Sequence, residues 1–331
     1  MSNLEVAPAE LACAGSQHPD APPVVQVLHP REVPLGGPRA IRVQRTMPQR
    51  QRSLVGAWCF HRPLRPGGRA DGRTAAPHTG LQTVSWLLSG EVEHRDSAGV
   101  RAAVRPGELN LMTAGAGICH SEVSVDSRAP LHGVQRWVAL PASARDTGRD
   151  FAHYTPVAMA LPGAQARVFL GELAGSRSPV RTFTPLLGTQ IDIEAGRTLD
   201  IDVDPAFEHG VLCDVGIVTV DGGGPDERQI GVPRSRAGAA ASAQLRGGAR
   251  AGAAARRSAV RRRAGDVVKL RRTKPRGHRR YRRLWEDADD RFGAVRGYRG
   301  SVTRLPAPPL PTVRLRPRPV PQRKGNIDDN R

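Results

Sequence analysis

Between His78 and Glu122 the chain reverses direction every few residues. The stretch reads HTGLQTVSWLLSGEVEHRDSAG and then, after a short gap, RPGELNLMTAGAGICHSE. Short apolar or alternating runs sit between glycine turns, a pattern of tightly joined β-strands. Strands are predicted over Thr83 to Leu88, Glu91 to Asp96, Arg101 to Val104, Leu109 to Thr113 and Ile118 to Val123. The turns are Ser97-Ala98-Gly99, Arg105 to Glu108 and Ala114 to Gly117. The last strand carries His120 and Glu122 two positions apart. Side chains at i and i+2 share a face, so an imidazole and a carboxylate project together.

The same texture continues beyond this stretch. Ala129 to Pro141 reads as a further strand region, with Trp137 and Val138 as core candidates. Ala142 to Tyr154 is a polar link. A second β unit follows over Val157 to Val220, with strands at Ala166 to Leu170, Gln190 to Ile193, Thr198 to Val203 and Gly210 to Val220. Its own metal ligands are not apparent, and Glu208 and His209, being adjacent, point to opposite faces of a strand. A length of 331 residues accommodates two such units. Aromatics at only 4%, with 36 glycines and 29 prolines, suit many short strands and turns better than helices.

No apolar run reaches the ~18 residues of a membrane span, and the N-terminus lacks a signal-peptide pattern. Cys13, Cys59, Cys119 and Cys213 show no paired spacing, which suggests reduced thiols in a cytoplasm. The net charge of +19 would ordinarily point to nucleic acid. Its distribution argues otherwise. Arg236 to Arg280 holds 13 Arg and two Lys against the single acid Asp266, a net +14. Arg256-Arg257 and Arg261-Arg262-Arg263 have no interleaved aromatics and no nucleic-acid motif, so nucleic acid is an unexpected partner.

These words resemble the pirin family. The resemblance is carried by HTGLQTVSWLLSGEVEHRDSAG, RPGELNLMTAGAGICHSE and LHGVQRWVALP, with RTMPQRQRSLVGAWCF before them and GYRG followed by LPAPPLP near the end. It implies an all-β chain of two cupin-type β-barrel (jelly-roll) domains with a few short helices. The expected divisions are an N-terminal segment 1–34, a first cupin domain 35–140 with a metal site, a linker 141–154, a second cupin domain 155–300 and a Pro/Arg-rich tail 301–331. RRLWEDADDRFGAVRGYRG, from Arg282 to Gly300, reads as a helix and a turn.

The resemblance places metal ligands at His78, His120 and Glu122, and at a fourth position where this chain has Ala76. Two histidines and a carboxylate are the donor set of non-haem Fe(II) sites, although Mn, Co, Ni, Cu or Zn accept the same donors. Fe(II) is the expected divalent metal, bound less tightly than by a complete set and with an extra open position. The implied activity is quercetin 2,3-dioxygenation of a flavonol, with Glu122 acting as base when it is not bound to the metal. The rival is a non-catalytic regulatory protein whose metal state alters a surface that binds a protein partner. A lone His-x-Glu on a strand is more often a solvated face than a site, and the surrounding words are what raise it. His94 reads as a structural or surface histidine and Cys119 as a buried thiol, while His61 and His132 have no assigned role.

Two segments depart from the resemblance. HRPLRPGGRADGRTAAP, His61 to Pro77, loses the alternating pattern. The Arg-Ala-Gly run of residues 236–280 has few large apolar side chains and is expected to bury too little surface to complete the second barrel. Arg, Ala, Gly and Pro are what GC-rich DNA yields in a shifted frame, so both segments read as products of compensated frameshifts.

Overall fold

The computed structural model describes residues 25–35, 41–47, 54–68, 76–126, 131–204, 207–216, 218–220, 230–233, 241–246, 249–251, 253–256 and 292–297. Its strands pair antiparallel throughout, and the one helical turn among the described residues is Ala142–Ala144. No helix among them is long and apolar enough to cross a membrane.

The first barrel is built from two sheets. In one, Ala76–His78, Ile118–Ser124, Val92–Asp96 and Arg101–Val104 lie side by side in that order. In the other the order is Asp150–Tyr154, Leu109–Thr113, Leu81–Ser89, Leu131–Ala139 and Trp58–Gly68. Leu81–Ser89 is central in that sheet and buried from Leu81 to Leu87 on both faces. One face, with Thr83 and Ser85, looks into the first barrel. The other, with Val84 and Trp86, joins Leu111, Phe169, Leu186 and Leu212 in a core shared with the second barrel. A strand buried on both sides cannot show a clean apolar and polar alternation.

In the second barrel Val25–Leu28, Ile230–Pro233, Phe207–Leu212, Ala253–Arg256, Leu186–Ile193, Ala164–Leu170 and Met159–Leu161 form one sheet, with Ala249–Ala251 also paired to Leu186–Ile193. Thr198–Val203, Ala241–Arg246 and Thr219–Val220 form the other. Its core gathers Val168, Leu187, Ile191, Leu199, Ile201 and Val218.

Several expectations change here. The segment from His61 is strand as far as Gly68, paired with Leu131–Ala139. Pro63 and Pro66 hide it from sequence reasoning, yet proline is tolerated because this strand forms the sheet's edge. The Arg-Ala-Gly run supplies three backbone-paired strands, Ala241–Arg246, Ala249–Ala251 and Ala253–Arg256, so up to Arg256 it does contribute to the second barrel. The link after Ala142 ends in Asp150–Tyr154, which pairs with Leu109–Thr113 of the first barrel. The strand expected from Gly210 to Val220 divides into Phe207–Leu212 and Thr219–Val220. The helix expected after Arg282 lies outside the described residues, except for 292–297, which are turn and irregular chain rather than helix.

The two ends of the described chain cross over. Val25–Leu28 pairs with Ile230–Pro233 in the second barrel. The Phe292–Gly297 segment returns to the first, where the Phe292 carbonyl accepts from the Cys119 amide at 3.0 Å and from the Ser97 hydroxyl. Arg95 Nη1 donates to the Gly297 carbonyl at 2.8 Å.

Candidate metal centre

Register decides which side chains meet. His120 lies opposite Ala76 on one side and Asp96 on the other, Ile118 lies opposite His78, and Glu122 opposite His94. Directly opposed residues of an antiparallel pair project from the same face. His78, His94, Asp96, His120 and Glu122 therefore share one face of the four-stranded sheet. His78 and His120 approach most closely, Nε2 to Nε2, at 3.0 Å. Among the described residues, His94, His120 and Glu122 form the one metal-capable His/Cys/Asp/Glu group, with donor atoms all within 4.8 Å of one another.

The facing sheet fixes the carboxylate. Ser85 and Gln135 sit opposite each other in register. The Ser85 hydroxyl donates to Glu122 Oε1 at 3.0 Å, and Gln135 Nε2 donates to Oε2. Aromatic rings cover the imidazoles: Trp137 stands edge-on to His78 at 5.2 Å between centroids, and Phe151 lies against His94 at 4.8 Å.

Burial, helped by the neighbouring His120, pushes the His78 imidazole down to about 3. Burial takes His120 down to about 4. Both rings are neutral at pH 7. Burial opposes charge on Glu122, yet His94, His120 and the Ser85 hydroxyl outweigh it and hold the carboxyl down to about 2. Burial opposes charge on His94 too, but Asp96 and Glu122 outweigh it and raise that ring to about 9. Two neutral imidazoles beside an ionised carboxylate are donors suited to a borderline divalent cation. His120 Nδ1 is buried and has no hydrogen-bond partner within the protein. The residues present fit a metal.

Sequence reasoning brought His78, His120 and Glu122 to this place. It read His94 as structural or surface; the ring is 2% exposed and lies 3.3 Å from Asp96, which excludes the surface half of that reading and fits the structural half, and it also faces Glu122. The signal lay in the parity of Val92-Glu93-His94-Arg95-Asp96. Positions 92, 94 and 96 are buried, while Glu93 and Arg95 alternate with them and pair with each other. Ser85, Gln135 and Phe151 left no sequence signal of their own. Cys119 is buried, as expected. His132, given no role, lies 2.9 Å from Asp214 of the second barrel. The side chain of His61 lies outside the described residues.

Two antiparallel barrels in tandem, the first carrying a histidine and carboxylate cluster between its sheets, define a bicupin. Residues 42–138 match the pirin family profile. The chain is 35% identical over 313 residues to a Pseudomonas aeruginosa protein with the provisional name quercetin 2,3-dioxygenase, covering 87% of this chain and 91% of that one. It is 34% identical over 204 residues to a pirin-like protein of Caulobacter vibrioides, covering 57% and 70%. The crystal structure of quercetin 2,3-dioxygenase from Acinetobacter baumannii matches with a TM-score of 0.73 at 27% identity, covering 89% of this chain and 98% of that one. This chain belongs to the pirin family.

Proposed function

We propose that the first barrel binds one divalent metal, Fe(II) first among candidates, through His78, His120 and Glu122, and that the chain acts as a quercetin 2,3-dioxygenase. The observation that carries this reading is the pair of neutral imidazoles 3.0 Å apart beside a carboxylate pinned at both oxygens. The names of the Pseudomonas and Acinetobacter relatives support the substrate class. When bound, the metal supplies Lewis acidity to the flavonol oxygens and redox chemistry for dioxygen.

The chain's own residues hold and orient. Ser85 and Gln135 fix the carboxylate plane, so little reorganisation is left for the moment of binding. Trp137 and Phe151 give the site flat apolar surfaces compatible with an aromatic ligand. A carboxylate held near 2 is a weak base, so Glu122 accepts a proton only from a hydroxyl already acidified within the site.

The test is oxygen uptake by the purified full chain with quercetin and added Fe(II), in wild type and His120→Ala. Uptake that depends on His120 supports the reading. Metal-loaded protein that consumes no oxygen with quercetin overturns the activity and favours the regulatory, protein-binding alternative.

A further inference from the structure

We propose that His94 is a protein ligand of this centre, binding through Nδ1, and that it makes up for the donor absent at Ala76. The inference rests on the reading of the first barrel as a metal site and adds a residue to it.

Ala76 lies directly opposite His120 and offers only a methyl group. His94 approaches from the strand on the other side of His120, where it lies opposite Glu122. Its Nδ1 is 3.9 Å from Glu122 Oε1. That is too long for a hydrogen bond. It suits two donors sharing one ion, since atoms each about 2.0–2.2 Å from a metal lie roughly 3–4 Å apart. The 3.0 Å between His78 and His120 falls in the same range.

The other nitrogen is already engaged. His94 Nε2 lies 3.3 Å from Asp96 Oδ2. Asp96 cannot swing away, because its Oδ1 accepts from the Ala98 amide at 2.8 Å and from the Val100 amide at 3.1 Å. A carboxylate behind the far nitrogen is what orients metal-binding imidazoles and sets their tautomer. Phe151 lies against the ring and holds its plane. The ring thus has one nitrogen anchored and the other aimed at the site.

Cu(II) is the probe. The full chain, stripped of metal and loaded with one equivalent of Cu(II), is examined by pulsed EPR, which counts coordinated imidazoles. We expect three in wild type and two in His94→Gln, whose amide can still donate to Asp96. Cu(II) binding in that variant weakens by at least about tenfold. Adding Ala76→His to His94→Gln restores the third imidazole. Two imidazoles in wild type overturn the proposal while leaving the metal site standing, and that result needs no variant to fold. An unchanged count in His94→Gln also overturns it. Failure of the wild-type chain to bind Cu(II) at all overturns both this inference and the metal-site reading.

Discussion

At the scale of single residues, the centre sets imidazoles of opposite character side by side. His78 and His120 are held down to about 3 and about 4, below the ordinary 6.5, so the unfolded chain takes up their protons first. Their contribution to stability is present above pH 6.5 and is lost as pH falls toward 4 and 3. His94 is raised to about 9, so its contribution is full below 6.5 and fades as pH rises through 9. For these three groups together, metal-free stability should peak near pH 6.5 and decline on both sides. Thermal melts of the metal-free protein across pH 4 to 10 check this, with a flatter alkaline limb expected for His94→Gln. An alkaline limb of the same slope in that variant would count against it. The ligand assignment itself predicts that His120→Ala and Glu122→Ala each hold less metal than wild type by elemental analysis, because each removes a direct donor from the centre. Retention of one metal per chain in either variant would remove that residue from the set. The shared face of His120 and Glu122 was legible from i, i+2 parity, and the pirin-like words around them marked it as a site. The burial of His94 could be read from the parity of VEHRD, but its place beside Glu122 could not, because that requires the register between two strands, which nothing local specifies.

At the scale of elements, the strands with regular turns and uninterrupted β-formers were readable. Arg101–Val104 and Leu109–Thr113 lie where the pattern puts them. Trp58–Gly68 was not, because its place at a sheet edge exempts it from the rules that mark a central strand. Packing between sheets is also silent in sequence. Trp86 stacks on Phe169 at 4.4 Å between centroids and donates from Nε1 to Gln190 at 2.9 Å, joining the two barrels. The Phe169 ring fits because residue 188 is glycine. A Cβ there would lie 2.3 Å from the ring. Gly188→Ala should therefore displace Phe169 and destabilise the protein by about 1–3 kcal/mol, as overpacked cores do. Chemical denaturation followed by Trp fluorescence measures it. An unchanged midpoint would mean the ring can move without cost.

At the scale of the whole molecule, the barrels are tied by more than their shared core. Glu208 accepts from the Gly56 amide at 2.9 Å, His132 meets Asp214, and each end of the described chain is pinned in the barrel remote from it in sequence. The Phe292–Gly297 segment braces the strands that carry His94, Asp96 and His120. Phe292 itself is fully buried. Deleting residues 292–331 should lower both melting temperature and bound metal, although none of the proposed ligands is removed. Full metal occupancy in the shortened chain would show that the brace is dispensable. The +14 run remains the least expected part of the chain, and the coding DNA read in its alternate frames tests the frameshift reading. An unbroken frame with no pirin-like text in the others would dismiss it.

That brace also sets a timetable. The Ser97 hydroxyl waits for a carbonyl 195 positions later. At about 5–20 residues per second, the ribosome leaves a gap of roughly 10–40 s between the two. Throughout that interval the first barrel can close its sheets but lacks the Phe292 contacts at Ser97 and Cys119. Metal capture is then expected to follow release rather than accompany synthesis. Stalled nascent chains ending before residue 292 should take up less metal than released protein, and should be held longer by chaperones that recognise unfinished β-structure.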